Sequence, residues 1–64
     1  MVELTPKQRE VAKHLKAGVC PAEAAKAMGI ARSTMRMHLK GIKRFYGTST
    51  YVEALQKAVR RGDL

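Results

Sequence analysis

Cationic side chains cluster in the middle of this 64-residue sequence and give it its most distinctive chemistry. Between Ala24 and Val52 there are six basic residues and no acidic one, and the five acidic residues lie outside that segment. A solvated helix usually mixes charges of both signs, so a segment of one sign indicates a surface for a polyanion. The net charge of +8 favours the same partners, which are nucleic acid or, less often, an anionic membrane.

Residue sets for catalysis or metal binding are missing from the sequence. Cys20 is the single cysteine, so no internal disulfide can form. His14 and His38 are the only histidines, too few to suggest a structural zinc site. We find no combination of nucleophile, base and orienting residue, and no glycine loop that could cradle a phosphate. We therefore expect a binding protein rather than an enzyme, with no metal and no cofactor.

The sequence also disfavours insertion into a membrane. No apolar run reaches the length of a signal-peptide core or a membrane span. Capping patterns and helix-ending glycines describe a compact fold rather than a basic amphipathic membrane peptide. The sequence predicts a protein of the reducing cytoplasm with no membrane partner.

Four helices are predicted to position the cationic side chains. Thr5 and Gln8 form a predicted capping box before the first helix, and Thr50 and Glu53 form a second one before the fourth. The helices are predicted to end at the glycines Gly18, Gly29, Gly47 and Gly62. With no strand or repeat pattern, the expected fold class is all-α: one domain over residues 1–64, with helices at about 5–17, 21–28, 32–46 and 50–61.

Apolar residues that recur with the helical period predict the core. Its members are Val11, Ala12, Leu15, Ala24, Ala25, Met28, Met35, Leu39, Ile42 and Tyr46. The Tyr46 hydroxyl is expected to lie in water. Gly41 interrupts the third helix at a cost of about 1 kcal/mol relative to alanine. Val52, Leu55 and Val59 mark the apolar face of the fourth helix.

The second and third helices fit a helix-turn-helix. Such a motif needs a small residue where its helices cross, often a glycine in the turn, and an apolar residue early in the second helix. Ala25, Gly29 and Met35 supply these at suitable spacings. Ile30 fills the turn, and Leu39 completes the predicted core of the motif.

The outward face of the third helix is predicted to enter the major groove of double-stranded DNA. Arg36 and Lys40 lie one turn apart and could donate to guanine acceptors, while Met37 could pack on a thymine methyl group. Phosphate contacts are expected near the helix start and again further along it. The residues assigned to them are Arg32, Ser33, Thr34, Lys43 and Arg44.

With these residues in place, the chain resembles the LuxR/GerE-type helix-turn-helix domain of bacterial transcription regulators. The matching residues are Leu4-Thr5-Pro6, Arg9-Glu10-Val11, Gly18, Glu23-Ala24-Ala25, Met28-Gly29-Ile30, Thr34, His38-Leu39, Ile42, Gly47 and Glu53-Ala54. The resemblance runs without gaps over about Leu4 to Leu64. Ala31 departs from it, because the family usually has a capping Ser, Thr or Asp at that position.

The resemblance implies a sequence-specific transcription regulator, encoded by a bacterium or a bacteriophage, that binds DNA commonly as a dimer on inverted half-sites. It implies base contacts at Arg36, Met37 and Lys40 and a backbone contact at Thr34. It also implies a homodimer contact on the fourth helix, around Val52, Leu55 and Val59. We expect no receiver or sensing segment before the motif, and therefore regulation by expression level, a partner or dimerisation.

Other interpretations remain open at this stage. The promoter-reading region of sigma factors has a similar architecture and ranks second among DNA-binding classes. A protein-interaction module that binds RNA polymerase or a larger regulator through the fourth helix is the alternative outside that class. His38 is expected either to support the fold or to face a phosphate. Tyr51 is expected to contact a phosphate or a second copy.

Overall fold

Residues 4–64 are described by a computed structural model, and they form four helices. These are α1 (Pro6–Lys16), α2 (Pro21–Met28), α3 (Arg32–Tyr46) and α4 (Tyr51–Arg60). Residues 4–64 contain no strand, so the predicted all-α, four-helix class is confirmed. The predicted bounds of α2 and α3 agree with the structure. Those of α1 and α4 were one residue too long at each end, because the capping residues were counted as helical.

The start of α1 shows how a local pattern sets a helix boundary. The Gln8 N–H donates to Thr5 Oγ1 at 3.1 Å, and the Thr5 N–H donates to Gln8 Oε1 at the same distance. This is the predicted capping box with both of its bonds formed. Because each bond satisfies a backbone donor that has no partner within the helix, the pair defines where α1 begins.

The predicted capping box of α4 forms only in part. The Glu53 N–H donates to Thr50 Oγ1 at 3.2 Å, as expected. The Glu53 carboxylate, however, accepts from the Thr50 hydroxyl rather than from the Thr50 N–H. Thr50 is more extended than Thr5, with a φ of −127° against −66°, which orients its N–H differently. One of the two predicted backbone bonds is therefore replaced by a bond between side chains.

The start of α3 has no side-chain cap. Ala31 occupies the cap position in an extended conformation, with φ −71° and ψ 156°, but it carries no side chain that can accept a hydrogen bond. A capping side chain at this point would accept from the second or third N–H of the helix. The first turn of α3 therefore keeps donors that an oxygen-bearing side chain could satisfy.

Ala31→Ser is expected to raise the free energy of unfolding by about 1 kcal/mol, because the backbone already has the conformation of a capping residue. In a domain of this size that corresponds to roughly 4–8 °C in Tm. Thermal unfolding followed by circular dichroism measures the effect. Thr5→Ala is the matched control and should lower Tm by a similar amount. A Tm for Ala31→Ser at or below that of the wild type would contradict this account of the α3 start.

The core lies where the four helices meet, and small residues let the helices approach closely. α1 contributes Val11, Ala12 and Leu15, and α3 contributes larger side chains, of which Ile42 is only 1% exposed. Apart from Leu4, the remaining buried members are Ala24, Ala25, Met35, Tyr46, Ala54 and Ala58. The predicted core is confirmed except at Met28 and Leu39, which are half-buried and pack against its edge.

The sequence did not predict which residues of α4 reach the core. Ala54 and Ala58 face the core, whereas Val52 and Val59 are 50% and 47% exposed. Leu55 is half-buried at the edge of the core. Alanine has no side chain beyond Cβ, so it allows the backbone of α4 to lie close to its neighbours. The apolar face that the sequence indicated is therefore the outer face of this helix.

Gly41 has a packing reason that the sequence did not reveal. A Cβ atom added at Gly41 would lie 2.5 Å from the Gln8 amide nitrogen. Gln8 also accepts the second bond of the α1 capping box, so its side chain is held in this position. Glycine at this position of α3 thus leaves room for the Gln8 side chain, which a larger residue would force to shift.

The C-terminal residues tie the end of α3 to the end of α4. The Tyr46 hydroxyl donates to Asp63 Oδ2 at 2.7 Å, which corrects the expectation that this hydroxyl lies in water. Lys57 Nζ donates to the Tyr46 carbonyl oxygen at 3.1 Å. The Arg61 guanidinium lies over the Phe45 and Tyr46 rings, 5.7 and 5.4 Å from their centres. These contacts hold the C-terminal turn of α3 against the following helix.

The buried Tyr46 hydroxyl and its hydrogen bond to Asp63 predict a loss of stability at high pH. Burial first, and then the hydrogen bond to Asp63, raise the pKa of Tyr46 from 10.0 to about 12. The folded state thus favours the neutral phenol, so this contribution is present below pH 10 and is lost as the pH rises towards 12. Phenolate absorbance of a Tyr51→Phe variant isolates Tyr46 and should show a midpoint near 12.

The matched variant is Tyr46→Phe, which lacks the titrating group. Its free energy of unfolding should fall less between pH 10 and 12 than that of the wild type. A phenolate midpoint near 10 in the folded Tyr51→Phe chain would contradict the proposed burial and hydrogen bond.

Within residues 4–64, none of the helices combines the length and apolar composition needed to cross a membrane.

Candidate nucleic-acid interface

α3 carries the candidate interface on the face that points away from the core. The opposite face of α3 is held in the core by its buried residues Met35, Ile42 and Tyr46. The predicted base-reading residues are all exposed, and Met37 is exposed to 73%. Those three residues are Arg36, Met37 and Lys40. The structure therefore brings them together on one solvent-facing surface.

The residues predicted to contact phosphates divide into two groups. Arg32, Ser33 and Arg44 are exposed, at the two ends of the same surface. Thr34 and Lys43 are half-buried, because they lie towards the flanks of α3. Side chains at these flanking positions suit contacts with the DNA phosphates that border the major groove rather than with the base edges inside it.

Within residues 4–64, no carboxylate forms a salt bridge with a cation of α3. The two salt bridges formed within residues 4–64 join Lys7 to Glu10 and Arg61 to Asp63, and both lie outside α3. Five basic residues of α3 thus keep their charge available to a partner: Arg32, Arg36, Lys40, Lys43 and Arg44. Concentrated charge of one sign on an exposed helix attracts a polyanion and speeds its association.

The turn between α2 and α3 begins at a glycine-capped helix end. Gly29 adopts a left-handed conformation with φ 67°, and the Ile30 N–H donates to the Ala25 carbonyl at 3.0 Å. Ala25 and Met35 are buried, while Ile30 and Leu39 are half-buried against the core. The exposed Gly29 serves the turn rather than the core.

The dimensions of α3 fit a groove in B-form DNA. Arg32 and Arg44 are twelve residues apart, which is about 18 Å along a helix axis. A helix with its side chains is about 10–12 Å across, and the major groove is about 12 Å wide. One face of α3 could therefore present cations along a groove from one end to the other.

A crevice beside α3 was missed by sequence reasoning. It encloses about 230 Å³ between the start of α2 and α3, with an apolar floor that includes Pro21, Met35 and Leu39. Arg32 and Arg36 form its cationic side. An apolar floor next to two guanidinium groups can hold a sugar ring while its phosphate is paired. Only the packing of α2 on α3 brings these residues together, so no local pattern could have indicated the crevice.

No protein-family model matches this chain, and no curated protein and no solved structure matches it. Support for a function therefore lies in the exposed, cationic face of α3.

Proposed function

We propose that this chain binds double-stranded DNA in a sequence-specific manner and acts as a small transcription regulator. Its helix-turn-helix would be of the LuxR/GerE kind, with α3 in the major groove. The observation that carries the proposal is the outer surface of α3, where four exposed cations and the half-buried Lys43 form no salt bridge within residues 4–64. Binding to chromosomal or phage DNA would take place in a bacterial cytoplasm.

The order of residues along α3 supports a division between reading and positioning. Arg36 and Lys40 lie in the part of a recognition helix that usually reaches base edges, where each could donate to guanine. Lys43 and Arg44 lie further along, where contacts to phosphates are more common. Arg32, Ser33 and Thr34 lie at the uncapped start of α3, whose free N–H groups favour an anion.

The exposure of Met37 favours contact with DNA bases over binding by charge attraction alone. A side chain of this size that is 73% exposed leaves apolar area in water. Its neighbours Arg36 and Lys40 on the same face are charged, so it has no apolar cluster to join. Contact with a thymine methyl group would remove that area from water and add discrimination between bases.

Selection of bound sequences from a random double-stranded DNA pool tests the proposal. We expect an enriched sequence motif, and an inverted repeat in it would indicate that two copies bind. If Arg32, Lys43 and Arg44 each neutralise one phosphate, the logarithm of affinity falls with a slope of about −2.7 against the logarithm of salt concentration. That slope is a loss of roughly 40-fold between 50 and 200 mM salt. A pool without enrichment, or a slope near zero, would contradict the proposal.

A protein-interaction module is the second candidate, and the exposure of Val52 and Val59 on α4 favours it. Such a module would bind RNA polymerase or a larger regulator and modulate it. Charge reversal with Arg36→Glu and Lys40→Glu separates the two functions. If purified RNA polymerase is still captured after DNA binding is lost, the interaction surface lies outside the α3 face.

A further inference from the structure

The outer surface formed by α1 and α4 keeps apolar side chains in contact with water. Val52 and Val59 are about half exposed, although Ala54 and Ala58 on the same helix are buried. A helix that served only the core would turn its larger aliphatic side chains inward, because full burial of each is worth about 1.5–3 kcal/mol. In α4 close packing places the alanines inside, and the larger aliphatic side chains remain on the outer face, where a partner could cover them.

These side chains line an open groove of about 640 Å³ between the end of α1 and α4. Leu15 contributes from α1, and Val52, Leu55 and Val59 contribute from α4. Val52 and Val59 are seven residues apart, which is about 10 Å along the helix. That length matches two turns of a second helix laid into the groove, with anchors at i, i+4 and i+7.

The charges at the groove indicate which residues should flank the apolar stripe of a bound helix. Lys16 and Arg60 line it and are exposed, and no described carboxylate lines it. Glu10 lines a different groove, beside Leu4, and Glu53 accepts hydrogen bonds from Thr50 in the first turn of α4. An apolar groove with a basic rim is complementary to an apolar stripe flanked by acidic residues.

A second copy of this chain fits the groove less well. A two-fold contact would place both copies of Lys16 and Arg60 on the same rim, where like charges repel. A stable interface also uses roughly 20–30 residues a side, far more than line this groove. A single helix in a groove needs only a few anchors, so it makes full use of the available surface.

We propose that the α1–α4 groove binds an acidic amphipathic helix of a partner protein. No groove-lining residue belongs to α3, so the groove and the candidate DNA surface can be occupied together. The partner helix would insert its apolar side chains between Leu15 and Val59 and pair its carboxylates with Lys16 and Arg60. The inference is independent of DNA binding by α3.

The test uses the full chain and two synthetic helical peptides. Both carry Leu at i, i+4 and i+7, and one has Glu at the flanking positions where the other has Lys. Fluorescence anisotropy of the labelled peptides should show that the Glu peptide binds about tenfold more tightly or better. Val59→Asp should weaken that binding by a similar factor, and circular dichroism should show that the variant is still folded, because Val59 is half exposed.

Charge reversal at the rim provides the decisive comparison. The double variant Lys16→Glu, Arg60→Glu should reverse the preference and favour the Lys peptide. The double variant Lys7→Glu, Lys26→Glu has the same change in net charge outside the groove and should keep the preference for the Glu peptide. DNA affinity, measured in parallel, should be unchanged by Val59→Asp, which separates this proposal from the function proposed for α3.

Two results would overturn the proposal: no binding of the Glu peptide, or equal affinity for both peptides. If the Glu peptide does not bind and analytical ultracentrifugation shows a dimer that Val59→Asp abolishes, the groove belongs to a second copy of this chain.

Discussion

Arg36→Ala is expected to reduce the sequence specificity of DNA binding by this protein. Arg36 is exposed in the first half of α3, one turn before Lys40, and no carboxylate of the described residues pairs with it. Two donors of a guanidinium can bind O6 and N7 of guanine together, which is worth about 1–3 kcal/mol of discrimination against other bases. Affinity for the selected sequence should therefore fall by roughly 10- to 100-fold, while affinity for random DNA falls much less.

Lys43→Ala is the informative comparison for that result. Lys43 lies further along α3, is half-buried on its flank, and is assigned to a phosphate. Its loss should weaken all sequences alike and reduce the salt slope by about 1. Lys13→Ala removes an exposed cation from α1 and controls for net charge. If Arg36→Ala keeps wild-type affinity for every sequence, α3 does not read bases through this residue.

Ile42→Ala is expected to have the largest effect on stability. Ile42 is 1% exposed and is among the largest fully buried side chains of the described chain. Truncation of such a residue costs about 2–5 kcal/mol, since it loses burial and leaves a cavity. A single core in a chain of this size rarely supplies more than about 3–5 kcal/mol, so a large fraction of the variant should be unfolded at room temperature.

Denaturant unfolding followed by circular dichroism measures this loss. Met37→Ala is the matched control, because Met37 lies on the same helix but is 73% exposed. Its stability should stay within about 0.5 kcal/mol of the wild type. The two variants also separate causes of weak DNA binding, since Met37→Ala should weaken it with the fold intact. An unfolding midpoint for Ile42→Ala equal to that of the wild type would contradict the assigned core.

Local interactions explain why the helices could be predicted. The bond between Thr5 and Gln8 spans three residues, and the left-handed Gly29 ends α2 within its own turn. The stripe of Met35, Ile42 and Tyr46 follows from the helical period alone. Once that stripe is inside, Arg36 and Lys40 must point outward, so the make-up of the candidate DNA surface was also predictable.

Contacts between distant residues explain the errors. The burial of Ala54 and Ala58 was not predicted, because the apolar pattern of α4 does not show which side chains face the core. Close approach favours the smaller side chains, and this depends on how α4 meets the other helices. The hydrogen bond from Tyr46 to Asp63 spans seventeen residues and leaves no local pattern.

The sequence by itself thus determined the four helices, the turn between α2 and α3, and the segregation of positive charge onto α3. These depend on interactions within about one helical turn and on the helical period, and both can be seen in the order of residues. The tertiary structure alone decided which face of α4 is buried and placed Gly41 beside the Gln8 side chain. It alone also formed the groove between α1 and α4, because a groove exists only where separate helices pack together.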